Sequence, residues 1–237
     1  DADGPILVAD ETSDADIVSA NIDYTPWLIR PFNELLVDPT YTLDTPGWGI
    51  THFGTITSAV TAAREQHTAI EVAEGTYEEN LVINKYLSLS GSAATDDPPG
   101  VSTIDGNVTF NLTGNRIMSP GVIDFDCWFF GFTVTGDANV SLQGVGLEFG
   151  LNTITGAFTS IGPNHINSSG LSIAESSISG GIYIPQISGG SNLAMEDNMV
   201  TSGDVAVDGI SIGTVTNSQV TMYPFGNTST ITGSRNG

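Results

Sequence analysis

The chain has 237 residues, 39% of them hydrophobic, and a formal net charge of −22 from 27 acidic against 5 basic side chains. That imbalance argues against nucleic acid and against insertion into or binding to an anionic membrane, since both bindings need clustered Lys and Arg, and no stretch approaches the roughly 20 apolar residues of a membrane span. It suits cations as partners, high salt or a cell surface, and it suits plain solubility equally.

The single cysteine, Cys127, excludes an intrachain disulfide framework and a multi-cysteine metal site. Its setting, "DFDCWFFGF", reads as a buried inert thiol, with a reactive or intermolecular thiol as the alternative. The sequence opens on Asp with no leader-like segment, so it reads as a processed, secreted chain or an excised module.

Residues 1–50 hold no sustained period, and "RPFNELLVDPTYTLDTPGWG" carries three prolines. Extended or irregular chain is expected there, forming an arm over 1–53 ahead of a β domain over 54–237. At 55–65 the character changes. Ile56, Val60 and Ala63 recur at helical spacing, which predicts a short helix.

Alternating pairs follow: Ile70 and Val72, Leu81 and Ile83, Leu87 and Leu89, each a short strand with one face buried. The same unit continues through Leu171 and Ile173, Ile182 and Ile184, Leu193 and Met195, Val205 and Val207, Ile210 and Ile212, and Val220 and Met222. Taking Leu171, Leu193 and Ile212 as equivalent positions gives a period near 20 with three short strands per turn. That describes a β-solenoid rather than a sandwich, which needs longer strands joined by hairpins. Asn198 is placed at a corner, with its amide available to the neighbouring coil.

The pieces "TITSAVTAA", "AIEVAEGTYEENLVI" and "KYLSLSGS" resemble the capping helix and first coil of pectin-lyase-like right-handed parallel β-helices. "FFGFTVTG" and "EDNMVTSG" resemble coil motifs of NosD-like and related surface repeat proteins of archaea and bacteria. The likeness spans about residues 54–235. It implies an all-β, right-handed parallel β-helix with a short N-terminal capping helix and an extended N-terminal arm. It does not imply one activity, because that scaffold carries lyases, hydrolases, adhesins and structural modules. "NIDYTPWL" resembles a segment that closes such a module, yet here it precedes the first coil.

Enzymes of that superfamily act on acidic polysaccharides, with a Lys or Arg base beside calcium or with clustered Asp, a His and an Arg-x-Lys motif. Here Lys85 is the one lysine, Arg64, Arg116 and Arg235 are scattered, and His52, His67 and His165 share no spacing. A polyanion groove so poor in positive charge repels its substrate, so no catalytic residue and no enzymatic activity are expected. Asp96 with Asp97, and Asp124 with Asp126, are the best oxygen ligands for calcium; ordinary solvated carboxylates are the alternative. Asp124 and Asp126 would share a strand face turned to solvent, with Ile123 and Phe125 inward. "WFFGF" reads as core plus one outward ring, or as an aromatic platform for sugar. Five Asn-x-Ser/Thr sequons, at Asn107, Asn111, Asn139, Asn167 and Asn227, are glycosylation candidates.

The expected function is an extracellular, cell-surface structural subunit that binds other copies of itself head-to-tail as a filament, sheath or surface layer. Tyr24, Trp27 and Leu28 of the arm are the expected apolar anchors on the next copy's open solenoid end. The alternatives are a module of a tandem-repeat adhesin or carbohydrate-binding protein, with polysaccharide or cations as partners, and then a polysaccharide lyase.

Overall fold

The computed structural model describes residues 34–64, 67–94, 100–115, 125–163, 165–200 and 210–222. Strands β1 (Glu34–Val37) and β2 (His52–Phe53) precede the one α-helix among these residues, α1 (Ile56–Ala62). The first coil is β3 (Thr68–Val72), β4 (Gly75–Tyr77) and β5 (Leu81–Ile83); the second is β6 (Leu87–Gly91), β7 (Ser102–Ile104) and β8 (Val108–Thr113). The third is β9 (Cys127–Phe130), β10 (Phe132–Val134) and β11 (Ala138–Gln143). In the fourth, β12 (Gly146–Gly150) and β13 (Thr153–Ile154) are followed by β14 (Phe158–Ser160) and β15 (Ile166–Asn167), which share the third side. The fifth is β16 (Gly170–Ala174), β17 (Ser177–Ile178) and β18 (Ile182–Ser188). The sixth is β19 (Asn192–Glu196), β20 (Met199–Val200) and β21 (Ile210–Val215), after which β22 (Gln219–Met222) returns to the first side.

Each side stacks into its own sheet, of nine, six and seven strands, the last counting β21, which pairs with β18. The pairings are parallel. Three stacked parallel sheets visited in rotation make this a parallel β-helix, as the alternating pairs predict.

The core is what the alternation builds. Ile70 and Val72, Leu81 and Ile83, and Leu87 and Leu89 are all buried, and so are the later described pairs up to Ile212. Each fully buried side chain contributes about 1.5–3 kcal/mol. In the middle coils the file becomes aromatic. Phe129 stacks on Phe132 at 4.4 Å and on Phe149 at 5.4 Å, while Phe149 meets Phe158 edge-on at 5.1 Å. Such pairs add about 0.5–1.5 kcal/mol beyond area burial.

The coil length varies where the sequence reading has it regular. On the first side Phe129 lies under Phe149, then Ile173, Met195 and Met222, at steps of 20, 24, 22 and 27 residues. Leu171 and Leu193 are in register as expected, but the next in that file is Val220, not Ile212. Ile212 pairs with Ile184 on the third side. The alternation of an x-polar-x pair is the same on every side, so spacing alone assigned it to the wrong one. Val205 and Val207 lie outside the described residues.

A second correction concerns the start. The expected boundary at 53/54 falls inside the first sheet, because β1 pairs with β3 through Leu35↔Ile70 and Val37↔Val72. Its alternation is hidden in the sequence by Leu36, an apolar residue at an outward position. The helix is shorter than 55–65. Thr55 caps it by accepting from the Ser58 amide, and Ile56, Ala59 and Val60 are its buried residues.

Polar side chains hold the corners in register. Between the first and second sides, Asn152 accepts from the Phe132 amide and donates to the Phe129 carbonyl, both at 3.0 Å. Its own amide donates to Ser176 Oγ; the Ser176 amide donates to Asn198 Oδ1; and Asn198 Nδ2 donates to the Ile173 carbonyl. Between the second and third sides, Asn80, Asn107 and Asp137 form a more exposed ladder of the same kind. Between the third and first, Ser169, Ser191 and Ser218 each accept from a backbone amide one coil below. Buried amides and carbonyls at a corner need such partners, since sheet pairing lapses there.

Asn152→Ala leaves the buried Phe132 amide and Phe129 carbonyl without those partners. We expect a loss of about 2–4 kcal/mol in denaturant unfolding, against under about 1.5 kcal/mol for Asn80→Ala in the exposed ladder. Equal losses at the two positions would show that burial does not set the worth of these corners.

Candidate functional site

The outward face of the first, nine-stranded sheet gathers the most varied chemistry among the described residues. On β9 the period of two sends Cys127 and Phe129 inward and leaves Trp128 and Phe130 half-buried on the outside. The motif therefore supplies two outward rings, not the single ring expected. Parallel register sets Trp128 between Ser88 and Glu148, and Phe130 between Ser90 and Gly150. The next strand continues with Ser172 and Ala174. Small neighbours give the rings room to lie along the sheet: a Cβ on Gly150 would stand 2.5 Å from Phe130 Cε1. A side chain at Gly150 would therefore displace the Phe130 ring.

Glu148 lies beside Trp128 in register on the next strand. Burial pushes its carboxyl above the ordinary carboxylate value, and the neighbouring Trp128 side chain acts in the opposite direction. The His67 ring lies 6.0 Å from that of Trp128, at a residue whose φ of 62° is in the left-handed region. The result is an aromatic shelf with a carboxyl at its edge. It can stack a flat, partly apolar ligand and accept hydrogen bonds from it.

At the start of the same sheet, Glu71 on β3 lies opposite Leu36 of β1, with Glu34 diagonally across on the same face. Burial first, and then the Glu34 charge and a hydrogen bond shared with Glu34, raise the Glu71 carboxyl above its ordinary value. Glu79 and Lys85 sit at opposite ends of α1. The Glu79 carboxylate accepts from the Ile56 and Thr57 amides, each at 2.8 Å, and from the Thr57 hydroxyl. Lys85 Nζ donates to the carbonyls of Val60, Thr61 and Ala63 at 2.8, 3.0 and 2.8 Å. Each charge complements the helix dipole at its own end. The only lysine is therefore a clamp on the helix.

The sequence-predicted residues disperse. His52 meets Tyr41 edge-on, and His165 Nδ1 lies 3.1 Å from the Ser160 carbonyl. Among the described residues no group of three or more His, Cys, Asp and Glu is placed to hold a metal ion. Asp126 was expected on a solvent-facing strand with Phe125 inward; it is instead buried, its Oδ2 accepting from the Gly146 amide at 2.9 Å, and Phe125 is half-buried. The corner needs an acceptor there, and that need turns the carboxylate inward. Cys127 is fully buried, and burial pushes its thiol up to about 12, so it stays protonated near neutral pH. Asn107, Asn111, Asn139 and Asn167 all fall on the third side, in or just before β8, β11 and β15. Tyr24, Trp27, Leu28, Asp96, Asp97, Asp124 and Asn227 lie outside the described residues.

Glu148 and Glu79 are not singled out by sequence, and Phe130 is so only as part of the WFFGF motif. Glu148 was within reach: it lies between the inward Leu147 and Phe149, and one coil of 20 residues separates it from Trp128. The architecture and this face define the class as an acidic parallel β-helix with an aromatic outer shelf. No family model matches the chain, and no curated protein or solved structure is significantly similar to it.

The raised Glu71 carboxyl gives a pH signature. The folded chain holds that proton more tightly than the unfolded one, so stability falls as pH rises from 4.5 through the raised folded value and stays lower above it. Glu71→Gln should therefore stabilise at pH 7 by a few tenths of a kcal/mol, up to about 1 kcal/mol, and the gain should vanish as pH falls below that window. Thermal unfolding of both proteins across pH 3.5–7.5 measures it; a gain independent of pH would rule out the Glu34 contact as its cause.

Proposed function

We propose that this chain is a structural subunit of an extracellular, cell-surface assembly, a right-handed pectin-lyase-like β-helix nearest the NosD-like surface repeat proteins. In this reading it binds further copies of itself and carries no catalytic activity. The observation that supports it most is the use of its polar side chains. Lys85, Glu79, Asp126, Asn152 and Asn198 all hold coil to coil or helix to coil.

Stacked parallel strands also offer backbone donors and acceptors at an end. Among the described residues β22 is the last strand of its sheet and pairs with β19 on one side. An extended segment of another copy can pair there by strand addition. The arm around Tyr24, Trp27 and Leu28 is the proposed donor, with aromatic anchors dominating the contact. A contact of this head-to-tail kind does not close on itself and propagates as a filament or layer.

Deleting residues 1–30 tests this. The truncated protein should keep its β-sheet circular dichroism spectrum and sediment as a monomer under conditions where the full chain forms polymers seen by negative-stain electron microscopy. A full chain that stays monomeric at high concentration, in high salt and with calcium, would refute it.

A second reading, carbohydrate binding, is favoured by the two outward rings beside Glu148. It expects neutral oligosaccharides to change Trp fluorescence saturably, and the binding to be lost in Trp128→Ala by isothermal calorimetry. Unchanged binding in that variant would remove the shelf from the account.

A further inference from the structure

We propose that the outward face of the third, seven-stranded side carries N-linked saccharide, attached at Asn107 and Asn111. This does not depend on self-association. The four sequons among the described residues all lie on this one side.

The strand period explains how each sequon is presented. In Asn111-Leu112-Thr113, on β8, Leu112 is buried while Asn111 and Thr113 are exposed. In Asn107-Val108-Thr109, Val108 is buried, Asn107 is exposed just ahead of β8, and Thr109 is half-buried and outward. The two polar members of each sequon thus stand on the outside together, as attachment at a folded surface requires. Asn139 and Asn167 are half-buried. Asn139 is flanked in register by Thr109 and Thr159, and Asn167 by Gln143 and Ser188. The exposed pair is therefore the site.

Two further features fit. Among the described residues the strands of this side contain no charged residue, although the chain carries a net charge of −22. Its wetting rests on hydroxyls and amides, a trait shared with the second side, whose described strands hold no sequon. Asn107 also uses only its oxygen in the corner ladder, where Oδ1 accepts from the Asp137 amide at 2.8 Å. Attachment at Nδ2 leaves that acceptor in place, so modification and ladder coexist.

The transfer needs a saccharide donor of the polyprenyl-phosphate-linked class. Asn Nδ2 forms a bond to the anomeric carbon and gives up one proton. The bond from that carbon to the phosphate oxygen breaks, and the lipid phosphate leaves with the electron pair.

Protein recovered from the cells that make it, digested and sequenced by electron-transfer mass spectrometry, decides the matter. A saccharide mass on Asn107 or Asn111 is the expected result. In Thr109→Ala and Thr113→Ala chains made in the same cells, the mass on Asn107 and on Asn111 respectively should be lost. These variants spare the Asn107 ladder, and an unchanged circular dichroism spectrum confirms that they fold. Unmodified peptides at both positions would overturn the proposal. So would saccharide confined to Asn139, Asn167 or Asn227, or an Asn107 modification that survives Thr109→Ala.

Discussion

Register between coils is the constraint on which the rest of the molecule depends. In a parallel stack, each side chain has one neighbour below and one above on the same face, so the chain can close its core only if like lies over like. Phe129 under Phe149, then Ile173 and Met195, form such a file. A slip of one residue would turn that whole set of side chains outward. Hydrophobic burial forbids that slip, but it discriminates less against a shift of two residues along the strand, which keeps the same face inward. The corner ladders exclude that shift too: Asn152 reaches the Phe132 amide and the Phe129 carbonyl only in one register. Burial thus holds the coils together, and the ladders decide their alignment.

The same rule governs the outer surface. Because outward residues also stack in files, any chemistry on one coil is bordered by whatever the adjacent coils place beside it. Trp128 and Phe130 lie against Ser88, Ser90 and Gly150, which leaves room for the rings, and Trp128 gains Glu148 as a partner. Glu71 gains Glu34 as a repulsive one. On the third side, register brings Asn139 beside Thr109 and Asn111 beside Ser141. Outward chemistry in this fold is a property of neighbouring coils.

Helix α1 shows how the stack is finished. Seven residues are too few for an independently stable helix, so its stability comes from packing and from its ends. Ile56, Ala59 and Val60 are buried, and the Glu79 and Lys85 clamps bracket it from the turns on either side of β5. Since Lys85 binds three helix carbonyls, the residue that looked most like a base is accounted for by the fold. Its neighbours in sequence gave no hint of this, because Val60 is 25 residues away.

By itself the sequence determined the class of fold and most of its core, because strand alternation and a buried interior leave the same periodic mark on every coil. It also marked the corner at Asn198, since an amide beside a turn has few other uses. Only the tertiary structure decided which side each strand belongs to, as Ile212 shows, and that β1 joins the first sheet despite Leu36. It alone turned Asp126 inward to the Gly146 amide and brought Glu148 to Trp128. The reason is physical: alternation is local and repeats identically on all three sides, whereas register, which fixes every outward neighbour, depends on coil lengths that vary along the first side from 19 to 40 residues.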